Sequence, residues 1–247
     1  MTEQAQVGEA FLQCWKFLGD VVDGATMRVD GAVAVGMTRL PIPTLNGVWS
    51  TSPDISSDEL QALLEEVDQA IPHCVQLPTD ASPDIGPLLA GRGMTRIDDI
   101  PLMALHVLDD PKPTHVGIRA LEPAEVGLHA QVAAAGFGAP QDVFERLITR
   151  RFASSPGVTV AVGEAGGEPV TTGVSLNLNG CVGVFNIATP EAERGKGYGA
   201  AVTGWLVARG LASGAHVAWL QSSTSGFAVY QRLGFETVDS WQCWISG

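Results

Sequence analysis

A glycine-rich turn beside an apolar segment holds the residues best suited to chemistry. Residues 181–189 are mostly apolar, Pro190 follows, and residues 199–213 have a helical pattern. Between these segments the chain reads Arg194, Gly195, Lys196, Gly197, Tyr198, Gly199 and Ala200. A glycine turn that opens a helix presents backbone N–H groups at a positive helix end, and glycine lets a ligand approach closely. The pattern predicts a site for a phosphate-bearing ligand, in a turn too crowded for larger side chains.

Two rival motifs fit the sequence less well. The spacing of Gly195, Gly197 and Ala200 also matches the dinucleotide fingerprint, which requires an acidic residue roughly twenty positions later to hold a ribose. Residues 200–235 contain no Asp or Glu. The Gly-x-Ser-x-Gly elbow of serine hydrolases does not occur in the sequence. The turn therefore favours a phosphate-bearing ligand other than a dinucleotide.

The elements around the turn form the second half of the chain. The hydrophobic patterns predict strands over residues 158–164, 171–177, 181–189, 217–221 and 237–245. They predict helices over residues 123–135, 142–152, 199–213 and 227–233.

The first half shows a similar alternation of elements. Residues 7–18 place Val7, Phe11, Leu12, Trp15 and Leu18 on one helical face. Further helices are predicted over residues 57–70, with interior Leu60, Leu63, Leu64 and Val67, and over residues 84–91. Strands are predicted over residues 25–29 and 32–37, from Asn46 onward, and over residues 74–77 and 97–107. The charged, proline-rich residues 109–115 indicate a linker, so we expect domains at 1–110 and 116–247.

Short matches in a common order indicate that the halves are a diverged repeat. The segment that begins at Gly93 parallels the one that begins at Gly234, residues 33–36 parallel residues 160–163, and Pro53 parallels Pro190. The glycine turn occurs only in the second half, and Leu89 stands where Tyr230 stands. The first half is thus predicted to keep the scaffold without the phosphate site.

Three segments of the second half form one pattern: the strand ending Ile187, Ala188, Thr189 and Pro190, the turn of residues 194–199, and residues 230–235, Tyr-Gln-Arg-Leu-Gly-Phe. With this pattern the second half resembles the GNAT superfamily of acyl-CoA-dependent N-acyltransferases. The resemblance covers residues 116–247 strongly and residues 1–110 as a degenerate copy. It implies a tandem GNAT fold of the α/β (α+β) class, with mixed, mostly antiparallel sheets flanked by helices.

The resemblance also implies a donor, a reaction and roles for residues. Acetyl-CoA would bind with its pyrophosphate on Arg194, Gly195, Lys196, Gly197, Tyr198, Gly199 and Ala200, and its pantetheine arm along the backbone of Ile187, Ala188 and Thr189. Tyr230 would protonate the departing thiolate as general acid, the alternative being a core tyrosine. Ser223, with Ser222 and Thr224 beside it, stands where many members have a pantetheine-binding Asn.

The acceptor side is less defined. The acceptor is expected to be a small amine or a peptide. The base is not assigned: Glu145, Glu164 and His129 lie in plausible regions, and a solvated surface role is the favoured interpretation of each. Trp241 and Trp244 are candidates for lining an acceptor pocket or for core packing. A non-catalytic acyl-CoA-binding sensor is the alternative function, and retention of Tyr230 favours an enzyme.

Composition limits the partners, metals and cellular location that the sequence predicts. The net charge of −13 argues against binding to nucleic acid or to anionic membranes and suits a cationic acceptor. Four separated cysteines give neither a disulfide framework nor zinc-ligand spacing, so no metal is expected. The first residues lack the pattern of a signal peptide, and no apolar run approaches the length of a membrane span. We expect a cytoplasmic monomer or homodimer.

Overall fold

The computed structural model describes residues 2–108 and 115–246, which form two compact units. The first unit comprises Met1–Leu102 and Thr237–Gly247, and the second comprises Met103–Glu236. The assignment of residues 237–247 differs from the predicted 116–247 domain, because that segment pairs with a strand of the first unit. The predicted linker, apart from His115, lies outside the described residues.

The first unit contains the elements that follow, in chain order. Its helices are α1 (Glu3–Val21), α2 (Ser57–Leu64) and α3 (Ile85–Gly91). Its strands are β1 (Thr26–Asp30), β2 (Val33–Met37), β3 (Asn46–Ser50), β4 (Cys74–Pro78), β5 (Thr95–Arg96) and, from the end of the chain, β12 (Glu236–Ile245). Strand β6 (Ile100–Leu105) is divided between the two units.

The strands of the first unit run in the order β1-β2-β3-β4-β12, with β5 also paired to β12. Only β3 and β4 are parallel, and their register joins three pairs from Gly47↔Cys74 to Trp49↔Gln76. The antiparallel pairing of β4 with β12 extends from Cys74↔Ile245 to Pro78↔Trp241. These five pairs place the final strand in the first unit.

Helix α1 shows how the sequence pattern produces the packing. The Thr2 side chain accepts the Ala5 N–H at 3.3 Å and caps the helix, which begins four residues earlier than predicted. Phe11 and Trp15 are buried as predicted, and Phe11 packs edge-on against Trp241 with ring centroids 4.6 Å apart. The apolar stripe therefore fastens α1 to the core of this unit.

Two predicted helices are shorter in the structure. The helix predicted over residues 57–70 ends at Leu64, and Val67 is buried without belonging to it. The helix predicted over residues 142–152 is broken at Ile148, which has φ −106° and ψ 77°. Thr149 then caps a new helical turn by accepting the Phe152 N–H at 3.1 Å. The hydrophobic period continued across both breaks, and at the second break the Thr149 cap overrode it.

The second unit contains the elements around the glycine turn. Its strands are β7 (Gly117–Ala120), β8 (Val158–Ala165), β9 (Glu168–Leu178), β10 (Cys181–Ala188) and β11 (Val217–Gln221). Its helices are α4 (Val126–Phe137), α5 (Gln141–Leu147), α6 (Arg150–Ala153), α7 (Tyr198–Ala212) and α8 (Phe227–Arg232).

The sheet of the second unit runs β11-β10-β9-β8-β7 and is antiparallel except for the pair β10–β11. Helix α7 packs on β9 and β10 through Val202, Leu206 and Val207, which are fully buried. The predicted α/β class, with mixed and mostly antiparallel sheets flanked by helices, is confirmed. Within the described residues, none of the helices combines the length and apolar character needed to cross a bilayer.

A buried asparagine organises the loop that leads into β3. The Asn46 carbonyl oxygen accepts the backbone N–H groups of Thr38 and Arg39 at 2.9 and 3.0 Å. Its amide donates to the carbonyls of Leu40, Ile42 and Pro72 at 2.9 to 3.1 Å. Arg39 has φ +59°, a conformation that non-glycine residues rarely adopt. Asn46 therefore stabilises a strained turn by bonding to five of its backbone groups.

We expect the substitution Asn46→Ala to lower the free energy of unfolding by about 3 kcal/mol or more, because it removes five hydrogen bonds between a buried side chain and the backbone. Urea unfolding followed by tryptophan fluorescence measures this change. The comparison variant Thr38→Val removes the hydroxyl that donates to Asn46 and accepts the Leu40 N–H, but it keeps the five bonds of Asn46 to the backbone, so its effect is expected to be smaller. Equal effects of the two variants would contradict the role given to Asn46.

Candidate functional site

The main feature of the second unit is the separation of its two parallel strands. The pairing of β10 with β11 covers Cys181↔Val217 to Gly183↔Trp219 and then stops, although the strands continue to Ala188 and Gln221. Beyond Gly183 the edge of β10 that faces β11 has no strand partner among the described residues. An unpaired strand edge can bind an extended ligand by backbone hydrogen bonds.

A bulge in β10 accompanies this separation. Its register with β9 shifts between Phe185 and Ala188, and Asn186 lies there with φ +50°. The Phe185 ring covers Gly183, where an added Cβ would lie 2.5 Å from the ring, and it meets Trp219 edge-on at 5.3 Å. A bulge bends the strand that contains it, and Asn is one of the few residues that adopts this backbone conformation readily. Sequence reasoning missed Asn186, for which no pattern signals a bulge.

The backbone of residues 187–189 is partly engaged within the protein. The Ala188 carbonyl accepts the Thr171 hydroxyl at 3.0 Å, and the Thr189 carbonyl accepts Arg194 Nε at 3.2 Å. Because neighbouring residues of a strand direct their polar groups to opposite edges, those of Ile187 face the β11 side. Of the three residues predicted to bind pantetheine, Ile187 is therefore the best placed.

The glycine turn leads directly into α7. Gly195 and Gly197 have φ +78° and +83°, and Gly197 precedes the first helical residue, Tyr198. The first helical bond runs from the Ala201 N–H to the Gly197 carbonyl at 3.0 Å. In the described part of the chain, the N–H groups of residues 198–200 have no backbone acceptor. These amides, at the positive end of the helix dipole, form an anion cradle.

The glycines are required for a different reason from the one predicted. An added Cβ at Gly195 or Gly197 would meet no protein atom within 4 Å, and one at Gly199 would meet Thr189 Oγ1 at an ordinary 3.4 Å. The expectation of a crowded turn is therefore wrong. Gly195 and Gly197 are needed because their φ values are positive, and the space in front of them is open to a ligand.

The two cations of the turn already have partners. Arg194 donates through Nε to Thr189 and through Nη2 to the carbonyl of Gly136 at 2.8 Å. Lys196 Nζ lies 2.8 Å from Glu193 Oε2, and this hydrogen-bonded ion pair raises the pKa of Lys196. An anion bound at this turn would therefore be held chiefly by the backbone amides.

The corresponding segment of the first unit has a different design. After β3, helix α2 is capped by Ser56, whose hydroxyl accepts the Glu59 N–H at 3.1 Å. Asp58 and Glu59 lie in its first turn, whereas α7 has neither a side-chain cap nor an acidic residue in its first turn. A satisfied amide and two carboxylates disfavour an anion at α2.

Tyr230 lies on α8 in the second unit. Its ring packs edge-on to Phe235 with centroids 6.0 Å apart and lies 2.9 Å from the position of a Cβ added to Gly226. Burial raises the pKa of Tyr230 to about 12. Its hydroxyl has no hydrogen-bond partner among the residues that the structure describes. Tyr230 is thus a protonated phenol with an available O–H.

The two serines predicted to contact the cofactor shape the loop before α8. The Ser222 hydroxyl is buried and donates to the Ser223 carbonyl at 2.9 Å. The Ser223 hydroxyl accepts the Gly226 N–H at 3.2 Å and lies 3.2 Å from Ser225 Oγ. Cofactor binding by these two residues stays a prediction.

The three candidate bases are engaged elsewhere. Glu145 is exposed and accepts a hydrogen bond from Gln141, while Glu164 pairs with Arg119 at 3.3 Å. His129 is fully buried, with Nδ1 2.8 Å from Thr172 Oγ1, and burial lowers its pKa to about 4. A neutral imidazole enclosed in the core cannot exchange protons with a substrate in solvent, so His129 is a poor base.

The two tryptophans proposed for an acceptor pocket belong to the first unit. Trp241 is fully buried, donates to Asp239 Oδ2 at 2.7 Å, and lines a cavity of about 620 Å³ with Glu9 and Asp80. Trp244 donates to Gln242 Oε1 at 2.9 Å and packs against the core. An acceptor role for either stays a prediction. No group of His, Cys, Asp and Glu within residues 2–108 and 115–246 has the arrangement of a metal site.

Comparison with known proteins identifies the fold. No protein-family model matches the sequence, and a search of curated proteins finds no match. Among solved structures, a GCN5-related N-acetyltransferase from Kribbella flavida has a TM-score of 0.72 at 20% identity, over 100% of this chain and 96% of that chain. A GCN5-related N-acetyltransferase from Sphaerobacter thermophilus has a TM-score of 0.59 at 16% identity, over 96% of this chain and 84% of that chain.

A third solved structure, from Novosphingobium aromaticivorans, is described as a putative acetyltransferase from the GNAT family. It has a TM-score of 0.56 at 17% identity, over 92% of this chain and 90% of that chain. The predicted GNAT fold is therefore confirmed, and at these identities the likeness concerns the fold. The tandem duplication within the chain stays a prediction.

We expect Gly197→Val to weaken CoA binding by about tenfold or more, because a branched side chain at φ +83° strains the turn that aims the amides. Isothermal titration calorimetry with CoA measures the change. The matched control is Gly199→Ala, which lies on the same turn without a positive φ and should weaken binding less. Unaltered affinity in Gly197→Val would contradict the cradle.

Proposed function

We propose that this chain, which has the GNAT fold, is an N-acetyltransferase that moves an acetyl group from acetyl-CoA to a primary amine by direct attack. The observation that carries the proposal is the open edge of β10 beside the unpaired amides of α7. This pairing suits a ligand that combines an extended amide-bearing arm with a pyrophosphate. Coenzyme A has both parts.

The donor would lie along the second unit in a defined order. Its pantetheine arm would add to the open edge of β10, with Ile187 as the main hydrogen-bonding residue. Its pyrophosphate would bind the N–H groups of residues 198–200, where the helix dipole adds to their attraction. The positive-φ glycines leave the space in front of these amides free. No metal is needed, since the cradle supplies the charge stabilisation.

Acetyl transfer requires stabilisation of an oxyanion. The neutral amine attacks the thioester carbon, the C–N bond forms, and negative charge gathers on the carbonyl oxygen. A backbone N–H of the open β10 edge can donate to this oxygen, and such a donor acts most strongly on the tetrahedral intermediate. The nitrogen, which became positively charged on attack, loses a proton to solvent water, and collapse of the intermediate then breaks the C–S bond, leaving the amide and releasing the thiolate.

Tyr230 is proposed as the general acid for the departing thiolate. Its pKa of about 12 keeps the phenol protonated at neutral pH, so the donor form is always present. Thiols have a pKa of about 8.5. Because the pKa of this phenol is higher by roughly three, transfer of its proton to a thiolate is unfavourable unless the phenolate is reprotonated at once. We therefore expect Tyr230 to hydrogen-bond to the sulfur as the C–S bond breaks and to pass its proton to the thiolate as solvent water reprotonates the phenol.

The amine must lose its proton before it attacks. Because Glu145, Glu164 and His129 all have other partners, a water relay to solvent is the proposed route. The net charge of −13 favours the approach of cationic acceptors, which are small amines or peptide N-termini in this proposal.

An acceptor screen tests the function. Acetyl-CoA is incubated with the protein and with amino acids, polyamines, aminoglycosides or short peptides, and release of free thiol is followed. Turnover with at least one amine class is expected. CoA binding without turnover across all classes would favour a non-catalytic acyl-CoA sensor, and absence of CoA binding would contradict both functions.

We expect Tyr230→Phe to lower kcat by roughly 100-fold or more with little change in the affinity for acetyl-CoA, because the change removes only the hydroxyl. Steady-state kinetics with the best acceptor and calorimetry with CoA measure the two effects. The neighbouring change Tyr198→Phe removes the chain's other phenol and serves as the control. An unchanged kcat in Tyr230→Phe would remove this residue from the mechanism.

The pH profile provides a separate test of the phenol. Because burial raises the pKa of Tyr230 to about 12, its acid form persists through the whole range in which a free tyrosine would ionise near pH 10. We expect kcat to show no decline from this group below about pH 11. A fall in kcat near pH 10 that is absent from Tyr230→Phe would show that burial does not raise the pKa of the phenol.

A further inference from the structure

Arg194 joins the glycine turn to two other segments, one of which is far away in sequence. Its Nε donates to the carbonyl of Thr189, directly after β10, at 3.2 Å. Its Nη2 donates to the carbonyl of Gly136, 58 residues away in α4, at 2.8 Å. Its own backbone N–H donates to Glu191 at 3.2 Å. One guanidinium thus fastens the glycine turn to the end of a strand and to a helix.

The position of the Gly136 carbonyl makes this contact favourable. It is among the last four carbonyls of α4 (Val126–Phe137), which a helix leaves without N–H partners of its own. These carbonyls carry the negative end of the helix dipole, so a cation beside them is stabilised. The fork of a guanidinium can donate in two directions at once, which a single ammonium group cannot do in the same geometry.

The close packing of α4 on β10 depends on Gly136. A Cβ added to Gly136 would lie 2.9 Å from Ala188 Cβ and 3.0 Å from the Thr189 nitrogen. Only glycine therefore lets the last turn of α4 reach the end of β10 without displacement. On the other side of this strand end, the Thr171 hydroxyl donates to the Ala188 carbonyl. The strand end is held from both sides.

Lys196 provides an internal contrast. It lies on the same turn, two residues from Arg194, and its ammonium pairs with Glu193 at 2.8 Å. That pair is local to the turn, whereas the bonds of Arg194 span separate elements. The two cations have similar charge and similar exposure, so charge alone does not distinguish them.

We propose that Arg194 is a positioning residue, which fixes the glycine turn and the end of β10 against α4 so that the amide cradle is formed before CoA arrives. The cradle amides and the Ile187 edge then need no ordering when the ligand binds, and this preorganisation increases affinity. The effect on CoA affinity rests on the proposed function, while the fastening of the three segments does not. The competing interpretation is that Arg194 binds a phosphate directly through its remaining N–H groups.

Hydrogen exchange of the ligand-free full-length protein, read by mass spectrometry, tests the fastening. We expect Arg194→Met and Arg194→Lys both to accelerate exchange by about tenfold or more in peptides covering residues 130–140 and 186–203. Gly136→Ala changes no charged residue and lies outside the glycine turn, and it is expected to accelerate exchange in the same two peptides. The control Lys196→Met should leave exchange in residues 130–140 unaltered. Unchanged exchange in Arg194→Met would overturn the proposal.

Calorimetry with CoA on the same variants tests the consequence for binding. We expect Arg194→Met, Arg194→Lys and Gly136→Ala each to weaken CoA binding by about tenfold. If Arg194→Lys keeps the affinity of the parent protein, direct charge contact with a phosphate replaces positioning as the explanation. If the parent protein binds no CoA, the proposed function fails and the exchange measurement alone decides the role of Arg194.

Discussion

The second unit depends on the early end of the pairing between two parallel strands. Each backbone N–H and C=O that leaves a sheet must find another partner or face solvent, so ending the pairing of two strands while both strands continue is costly. Here β10 leaves β11 after Gly183, with a bulge at Asn186 and the Phe185 ring folded over the glycine. Thr171 and Arg194 satisfy the carbonyls at the strand end. The open edge of β10 consists of the backbone groups that are bonded neither to β11 nor to these side chains.

The first unit shows what the same arrangement becomes without the glycine turn. Its parallel pair β3–β4 also joins only three residue pairs, from Gly47↔Cys74 to Trp49↔Gln76. The helix that follows is capped by Ser56 and carries acidic residues in its first turn. On the proposed function, an anion site needs a strand separation and, beside it, a helix whose amides are unpaired and whose first turn has no acidic residue.

Local signals predicted most elements, and long-range contacts account for what the sequence did not reveal. The glycine turn, α7 and the position of Tyr230 follow from residue types within a short window. The bonds of Arg194 to Gly136 and the placement of β12 beside β4 join residues far apart along the chain, so no local pattern encodes them. The end of α2 at Leu64 was missed because apolar spacing continued past the break. Gly195 and Gly197 are needed because their φ angles are positive, and these angles cannot be read from a sequence.

The placement of β12 in the first unit has a consequence for how the chain is made. During synthesis, β4 emerges from the ribosome long before its partner, since Cys74 pairs with Ile245 and His73 donates to Ser246 across 173 positions. The first unit is therefore left with an exposed strand edge while the whole second unit is translated. Contacts this distant slow folding, and unpaired edges favour aggregation. The nascent first unit is thus the stage of biogenesis at which chaperone protection of this protein is most needed.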